Sequence, residues 1–239
     1  MGNQGESKTL KRSMTRGWQI SKKQYKFTVK NKCGPHSANS SLSLTVVIRD
    51  LIKLTNTYKE TKNLINEGNV LIDSKKRSDP QFSVGIMDTI SIPEEKLFYR
   101  LLPHKNVLTL VKIEKNESNT KLCKIKSKHT IKNGLLQYCL NDGRNILSDN
   151  NYKVGDTLKI ELPTQKILDV FSLIQGSYVL ILQGKLSGKI GIIESQTIGT
   201  LSRKSMLKVK FDNVVTELPA DISFSIGKDK SQLPLEYSD

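Results

Sequence analysis

The run Tyr178-Val179-Leu180-Ile181-Leu182-Gln183-Gly184-Lys185-Leu186-Ser187-Gly188-Lys189-Ile190-Gly191-Ile192-Ile193 decides the class of fold. Val179 and Ile181 alternate with their neighbours, glycines follow at 184, 188 and 191, and Ile193 closes the pattern. Alternating apolar residues describe a strand. Spaced glycines permit positive φ and close backbone approach, so the run reads as strand, turn and return strand. A phosphate-binding loop is a poor alternative, because neither G-x-x-x-x-G-K-[ST] nor G-x-G-x-x-G occurs. Further strands are expected at Lys208–Phe211 and Ile222–Ile226.

Upstream, Leu108–Ile113, Lys121–Ile125, Leu135–Leu140 and Thr157–Leu162 are short and apolar or alternating. Asn133-Gly134, Asp142-Gly143 and Gly155-Asp156 punctuate them as turns. Short strands at this spacing suit a small barrel or sandwich. Before residue 97 the period changes. Leu42, Leu44, Val47, Ile48, Leu51 and Ile52 recur at three- and four-residue intervals, which predicts a helix with Arg49, Asp50 and Lys53 on its other side. A second helix is expected from Thr57 to Asn66, with Gly68 as its stop. Asn69–Asp73 reads as a strand, Ser74–Arg77 as a basic turn, and Thr89–Ile92 as a second strand.

Charge limits the partner. The 239 residues carry 38 Lys and Arg against 23 Asp and Glu, a formal +15, with 36% hydrophobic and 6% aromatic residues. So little apolar content argues for small modules leaning on a polyanion rather than one thick core. Residues 1–36 hold nine Lys and Arg and one Glu, so over half of the net charge lies there. That segment is poor in Leu, Ile and Val and reads as a basic arm that orders against its partner. Trp18, Tyr25 and Phe27 interleave with its cations, as suits stacking on exposed bases alongside phosphate contacts. Cys33-Gly34-Pro35-His36 and the polar Ser37–Ser41 follow as a linker.

Other classes are excluded on the residues. No apolar run is long enough for a membrane span, and the polar N-terminus is not expected to be a secretory signal. Cys33, Cys123 and Cys139 are odd in number and widely spaced, which suits the cytosol and argues against a disulfide framework. Cys123 and Cys139 read as small core residues. His36, His104 and His129 lack metal-ligand spacing, and no G-x-S-x-G or H-E-x-x-H motif is present, so no catalytic, metal or cofactor site is expected. Asp142 reads as a turn residue ahead of a phosphate-contacting Arg144.

The glycine pattern resembles the KOW motif of SH3-like barrels in ribosomal proteins and transcription elongation factors. The whole order of modules resembles the small-subunit ribosomal protein family S4e of archaea and eukaryotes. Lys8-Thr9-Leu10-Lys11-Arg12 followed by Trp18 is similar to the family's K-H-L-K-R…W opening, and Gly34-Pro35-His36 to its G-P-H. Arg49-Asp50, Gly68-Asn69-Val70-Leu71-Ile72-Asp73 and Val84-Gly85-Ile86-Met87-Asp88 resemble its R-D, G-D-V-x-V-D and V-G-L-M-D. Lys121-Leu122-Cys123-Lys124-Ile125 and Leu140-Asn141-Asp142-Gly143-Arg144-Asn145 resemble K-L-C-K-I and L-H-D-G-R-N. Thr9, Cys33 and Asn141 depart from the family's usual His, Pro and His.

The resemblance implies a structural, non-enzymatic constituent of the small ribosomal subunit, in the cytoplasm, bound to small-subunit rRNA and to neighbouring small-subunit ribosomal proteins. No membrane and no homo-oligomer are expected. The expected fold is α+β and multidomain: a basic N-terminal arm (1–37), an S4-type helix-helix-strand RNA-binding domain (38–96), a central small β-barrel domain (97–172) and a C-terminal KOW SH3-like barrel (173–239). The expected RNA contacts in the arm are Lys8, Lys11, Arg12, Arg16, Trp18, Lys22, Lys23 and Lys26. Those in the helical unit are Arg49, Lys53, Lys59, Lys62, Lys75, Lys76 and Arg77, and Arg144 is the contact in the β domain. Two rivals stay open: an RNA-modifying enzyme that borrows the same RNA-binding unit, and an elongation factor that binds polymerase through a KOW barrel.

Overall fold

The computed structural model describes residues 8–11, 18, 20, 26–131, 134–200, 203–211 and 214–227. These fall into two compact units, one holding 8–102 and 107–118, the other 103–106 and 119–227. The described chain is mostly β with few helices. No described helix is long and apolar enough to cross a membrane.

In the first unit, β1 (Lys8–Leu10) pairs antiparallel with β2 (Phe27–Val29). β3 (Ser41–Ser43) leads into α1 (Leu44–Val46) and a π-helical stretch, Val47–Ile52. Next come α2 (Tyr58–Asn66), β4 (Leu71–Ile72), β5 (Lys75–Lys76), β6 (Ser83–Gly85), β7 (Thr89–Ile92), β8 (Leu97–His104), whose last two residues fall in the second unit, β9 (Val107–Lys112) and α3 (Lys115–Ser118). β3 pairs with β6, while β5-β4-β7-β8-β9 form one sheet.

The expected 42–52 helix differs from what forms. Leu42 lies in β3, and the helix changes winding at Val47. Leu44, Thr45, Val46, Val47 and Ile48 are all buried, so the first turn of this helix is core all round, while Arg49, Asp50, Leu51 and Ile52 are half-buried and Lys53 is exposed. Its run of β-branched residues is stiff at χ1 and crowds an α-helical surface. Lys53 ends it in the left-handed region, φ 61°. α2 matches the reading closely. Thr57 accepts a hydrogen bond from Glu60 N, and the Glu60 carboxylate accepts from Thr57 N, a reciprocal cap on two otherwise orphaned donors. The basic turn sits one step earlier than read. Asp73 and Ser74 take the positive-φ positions, and Lys75 and Lys76 already pair with Ile72 and Leu71 in β5. Asp73 is held there because its carboxylate accepts from Thr89 N and Oγ1.

In the second unit, β10 (Thr120–Thr130), β11 (Leu136–Leu140), β12 (Asn145–Ser148), β13 (Thr157–Glu161) and β14 (Ile167–Phe171) lie in the order β12-β11-β10-β13-β14. Cys123, Ile125, Tyr138, Leu140, Leu158 and Ile160 form their core. Cys123 is a core residue as read, whereas Cys139 is half-buried; all three cysteines are free thiols. β15 (Tyr178–Ile181), β16 (Ile190–Thr197), β17 (Met206–Phe211), β18 (Val214–Pro219) and β19 (Ser223–Gly227) lie in the order β18-β17-β16-β15-β19 over a separate core of Val179, Ile181, Ile193, Leu207 and Val209. The glycine-spaced run is a strand, a turn and a return strand, with Val179 opposite Gly191. Gly188 has φ +85°, and a Cβ there would lie 2.5 Å from the Pro103 carbonyl oxygen, so two backbones touch at that point.

Two of the motifs that carried the family resemblance interlock in the first unit. His36 Nε2 lies 3.0 Å from Asp88 Oδ1, and Asp88 Oδ2 accepts from Gly85 N at 2.8 Å. The imidazole occupies the space that a side chain on Gly85 would take. Gly85→Ala is therefore expected to displace His36 and to cost about 1–3 kcal/mol, the usual range for overpacking. A denaturant titration of the variant against wild type checks this, and an unchanged midpoint would refute it.

Candidate nucleic-acid interface

The structure sorts the cations read from the sequence into three groups. Arg12, Arg16, Lys22 and Lys23 lie outside the described residues. Lys8, Lys26, Lys53, Lys59, Lys62, Lys75 and Lys76 are exposed. α2 carries Lys59 and Lys62 on its solvent side, while Thr61 and Ile65 face the core. The Lys76 side chain folds over Gly68, just past the end of α2, where a positive charge complements the helix dipole. Lys59, Lys62, Lys75 and Lys76 thus belong to α2 and the adjoining β4–β5 hairpin.

The remaining residues are engaged within the protein. Lys11 and Trp18 are buried, at 3% and 9% exposure. Arg49 grips its neighbour Asp50 through two hydrogen bonds, Nε to Oδ1 at 3.0 Å and a terminal nitrogen to Oδ2 at 2.8 Å. This pairing spends part of the charge that the reading assigned to phosphate. The Arg77 guanidinium lies over the Phe82 ring, 4.4 Å from its centroid, a cation–π contact that arginine makes more often than lysine.

Arg144 belongs to a buried cluster that the sequence did not announce. Lys121 Nζ lies 3.0 Å from Asp142 Oδ2, with both side chains at 1–2% exposure. Arg144 Nε approaches the same oxygen at 3.2 Å, and Arg144 N donates to Oδ1. The Cys123 thiol lies 3.5 Å from Oδ2. Burial alone would push the Asp142 carboxyl up; the ammonium of Lys121 and the guanidinium of Arg144 outweigh it and hold the group below the usual carboxylate range. Asp142 is thus more than a turn residue: it ties β10 to the β11–β12 turn. Asn141, which departs from the family's usual His, accepts from Lys124 N and returns its own N–H to the Lys124 carbonyl.

Lys124 was likewise not singled out from the sequence. Its ammonium donates to the carbonyls of Ala220, Asp221 and Ser223 at 2.8, 3.3 and 2.7 Å, closing the short 3-10 turn Ala220–Ile222 against β10. The alternation in Lys-Leu-Cys-Lys-Ile was the only available signal, and it does not say which lysine turns inward. Among the described residues no three His, Cys, Asp or Glu side chains converge as metal ligands.

Comparison with known proteins bears on up to 91% of the chain. Residues 95–167 match the model of ribosomal family S4e. The small ribosomal subunit protein eS4 of Methanothermobacter thermautotrophicus is 39% identical over 220 residues, covering 91% of each chain. That of Saccharolobus islandicus is 40% identical over 226 residues, covering 91% of this chain and 94% of its own. The crystal structure of the 30S ribosomal protein S4e from Thermoplasma acidophilum superposes with a TM-score of 0.70 at 27% identity, covering 79% of this chain and 96% of that one.

Two predictions follow from the buried charges. Asp142→Asn removes the carboxylate charge that Lys121 and Arg144 both face in the core and is expected to cost roughly 3–5 kcal/mol; equilibrium unfolding at neutral pH reads it. In Lys124, burial pushes the amine down to about 8 from 10.5, with Asp221 opposing. Between those two values the unfolded chain binds more protons than the folded one, so this group makes stability rise with pH. Lys124→Met is expected to flatten that rise, and identical stability–pH curves for the two proteins would contradict it.

Proposed function

The chain belongs to the S4e family of ribosomal proteins, and on that premise we propose that it binds and stabilises small-subunit rRNA as a structural constituent of the small ribosomal subunit in the cytoplasm. Its role is structural and non-enzymatic. The observation that carries the reading is the reach of the likeness: curated eS4 proteins match 91% of this chain and over 90% of their own length.

The mechanism is multivalent neutralisation. Residues 1–37 act as a basic arm, 38–96 as an S4-type RNA-binding domain, 97–172 as a central β domain and 173–239 as a KOW barrel. The arm contributes sequence-tolerant phosphate contacts through Lys8, Arg12, Arg16, Lys22, Lys23 and Lys26. Lys59, Lys62, Lys75 and Lys76, exposed on α2 and its neighbouring hairpin, straddle an RNA backbone. Each phosphate contact releases counterions, so binding weakens steeply with salt. Linked modules raise one another's effective concentration and turn weak contacts into firm anchoring. The net charge of the last 67 residues is only +1, which suits that part to contacts with neighbouring ribosomal proteins.

Gradient sedimentation of a cell lysate, repeated in high salt, tests the reading. The chain is expected to follow the small subunit and to resist the wash. Migration as free protein, or with RNA polymerase, overturns it.

A further inference from the structure

We propose that the outer half of β10, carrying Lys126 and Lys128, is a separate contact for the phosphate backbone of folded RNA. The inference rests on the rRNA-binding reading and adds a site that neither the arm nor the helical unit supplies.

The sequence supplies the charge. Between Glu117 and Asp142 there is no acidic residue, while five lysines and His129 fall in that interval. The fold then divides them. Lys121 is consumed by Asp142, and Lys124 by three carbonyls. Lys126, Lys128 and His129 are exposed, whereas Lys121, Leu122, Cys123 and Ile125 on the same strand are buried. Lys132 lies outside the described residues.

Pairing explains the change along one strand. β10 pairs with β13 only from Thr120 to Lys124. From Ser127 to Thr130 it pairs with β11 alone, Ser127 opposite Cys139 and Thr130 opposite Leu136. The register shifts between Ile125 and Ser127, which makes Lys126 the extra residue of a bulge. A bulge bends the strand and re-aims a side chain. The outer half of β10 thus leaves the five-stranded sheet with one edge not covered by β13, and its tip is flanked by the exposed apolar side chains of Ile131 and Leu135.

Lys128 is oriented without being neutralised. Its ammonium donates to Asn151 Oδ1 at 3.1 Å and to the Tyr152 carbonyl at 3.4 Å. Both acceptors are uncharged, so the full positive charge remains, and an ammonium has a third donor to offer. A pre-positioned cation loses less side-chain entropy on binding than a free one. A phosphate oxygen suits this donor: it is anionic and accepts hydrogen bonds from either lysine without requiring a particular base.

The test uses the full chain and an in vitro transcribed small-subunit rRNA, with equilibrium binding measured across a salt series. Lys126→Gln/Lys128→Gln is expected to make the slope of log K against log salt shallower by about 1.5, from roughly 0.7–0.9 per phosphate contact. Lys126→Gln alone, which leaves the Lys128 hydrogen bonds intact, is expected to give about half of that. Lys208→Gln/Lys210→Gln removes the same charge from the exposed side of β17 and is expected to keep the wild-type slope. If the β10 variants keep the wild-type slope, or the β17 control loses as much, this site is overturned while rRNA binding stands. If the wild-type chain itself shows no salt-dependent binding, the broader reading falls with it.

Discussion

The Lys121 ammonium and the Asp142 carboxylate meet at 3.0 Å in the core of the second unit, almost wholly out of water. Taking two charges out of water costs several kcal/mol each, and their attraction repays that only when geometry is tight and the remaining valences are satisfied. Both conditions are met here. The second carboxylate oxygen accepts from Arg144 N, and the first also faces the Arg144 guanidinium. The cluster fixes the β11–β12 turn to β10, which is the strand shared by both halves of that sheet. An apolar pair of similar volume would pack as well. It would not hold Arg144 in place or define where the turn lies.

A chain this basic must spend some cations inward and leave others outward, and the fold does this strand by strand. On β10, Lys121 and Lys124 are paired with acceptors within the protein, and Lys126 and Lys128 face out. On the helical side, Arg49 closes on Asp50, while Lys59 and Lys62 remain exposed. The division follows from chemistry. A planar guanidinium suits a fixed carboxylate or an aromatic face, as with Asp50, Asp142 and Phe82. A lysine on a flexible stem suits a mobile or repeating anion. Single exposed ion pairs contribute little, but phosphate contacts add through counterion release, so under the proposed function the exposed set acts as a sum.

The first unit relies on a different clamp. His36 and Asp88 are 52 residues apart in sequence and nearly fully buried, and Gly85 must lack a side chain for the imidazole to fit. The G-P-H segment and the V-G-x-M-D segment are therefore one structural feature. This supplies a physical reason for a glycine, a histidine and an aspartate that a reading of either segment alone would leave unconnected.

Periodicity and turn chemistry were enough to place the glycine-spaced hairpin, the capped helix α2, and the strands beginning near Thr157 and Lys208, because those signals are local. Residue types alone also point to an anionic partner and place over half of the net charge in the first 36 residues. Tertiary structure decided the rest. β12, β14 and β18 escaped the reading because they are edge strands whose outward residues are polar or exposed, which blurs the alternation. The apolar spacing of 42–52 is helical and one-faced, yet the all-round burial of 44–48 comes from neighbours that no local pattern shows. Which lysine of β10 turns inward depends on Asp142 and on the carbonyls of residues 220–223, close in space and far in sequence. Charge is a property of the chain; whether it is available to a partner depends on what the fold places beside it.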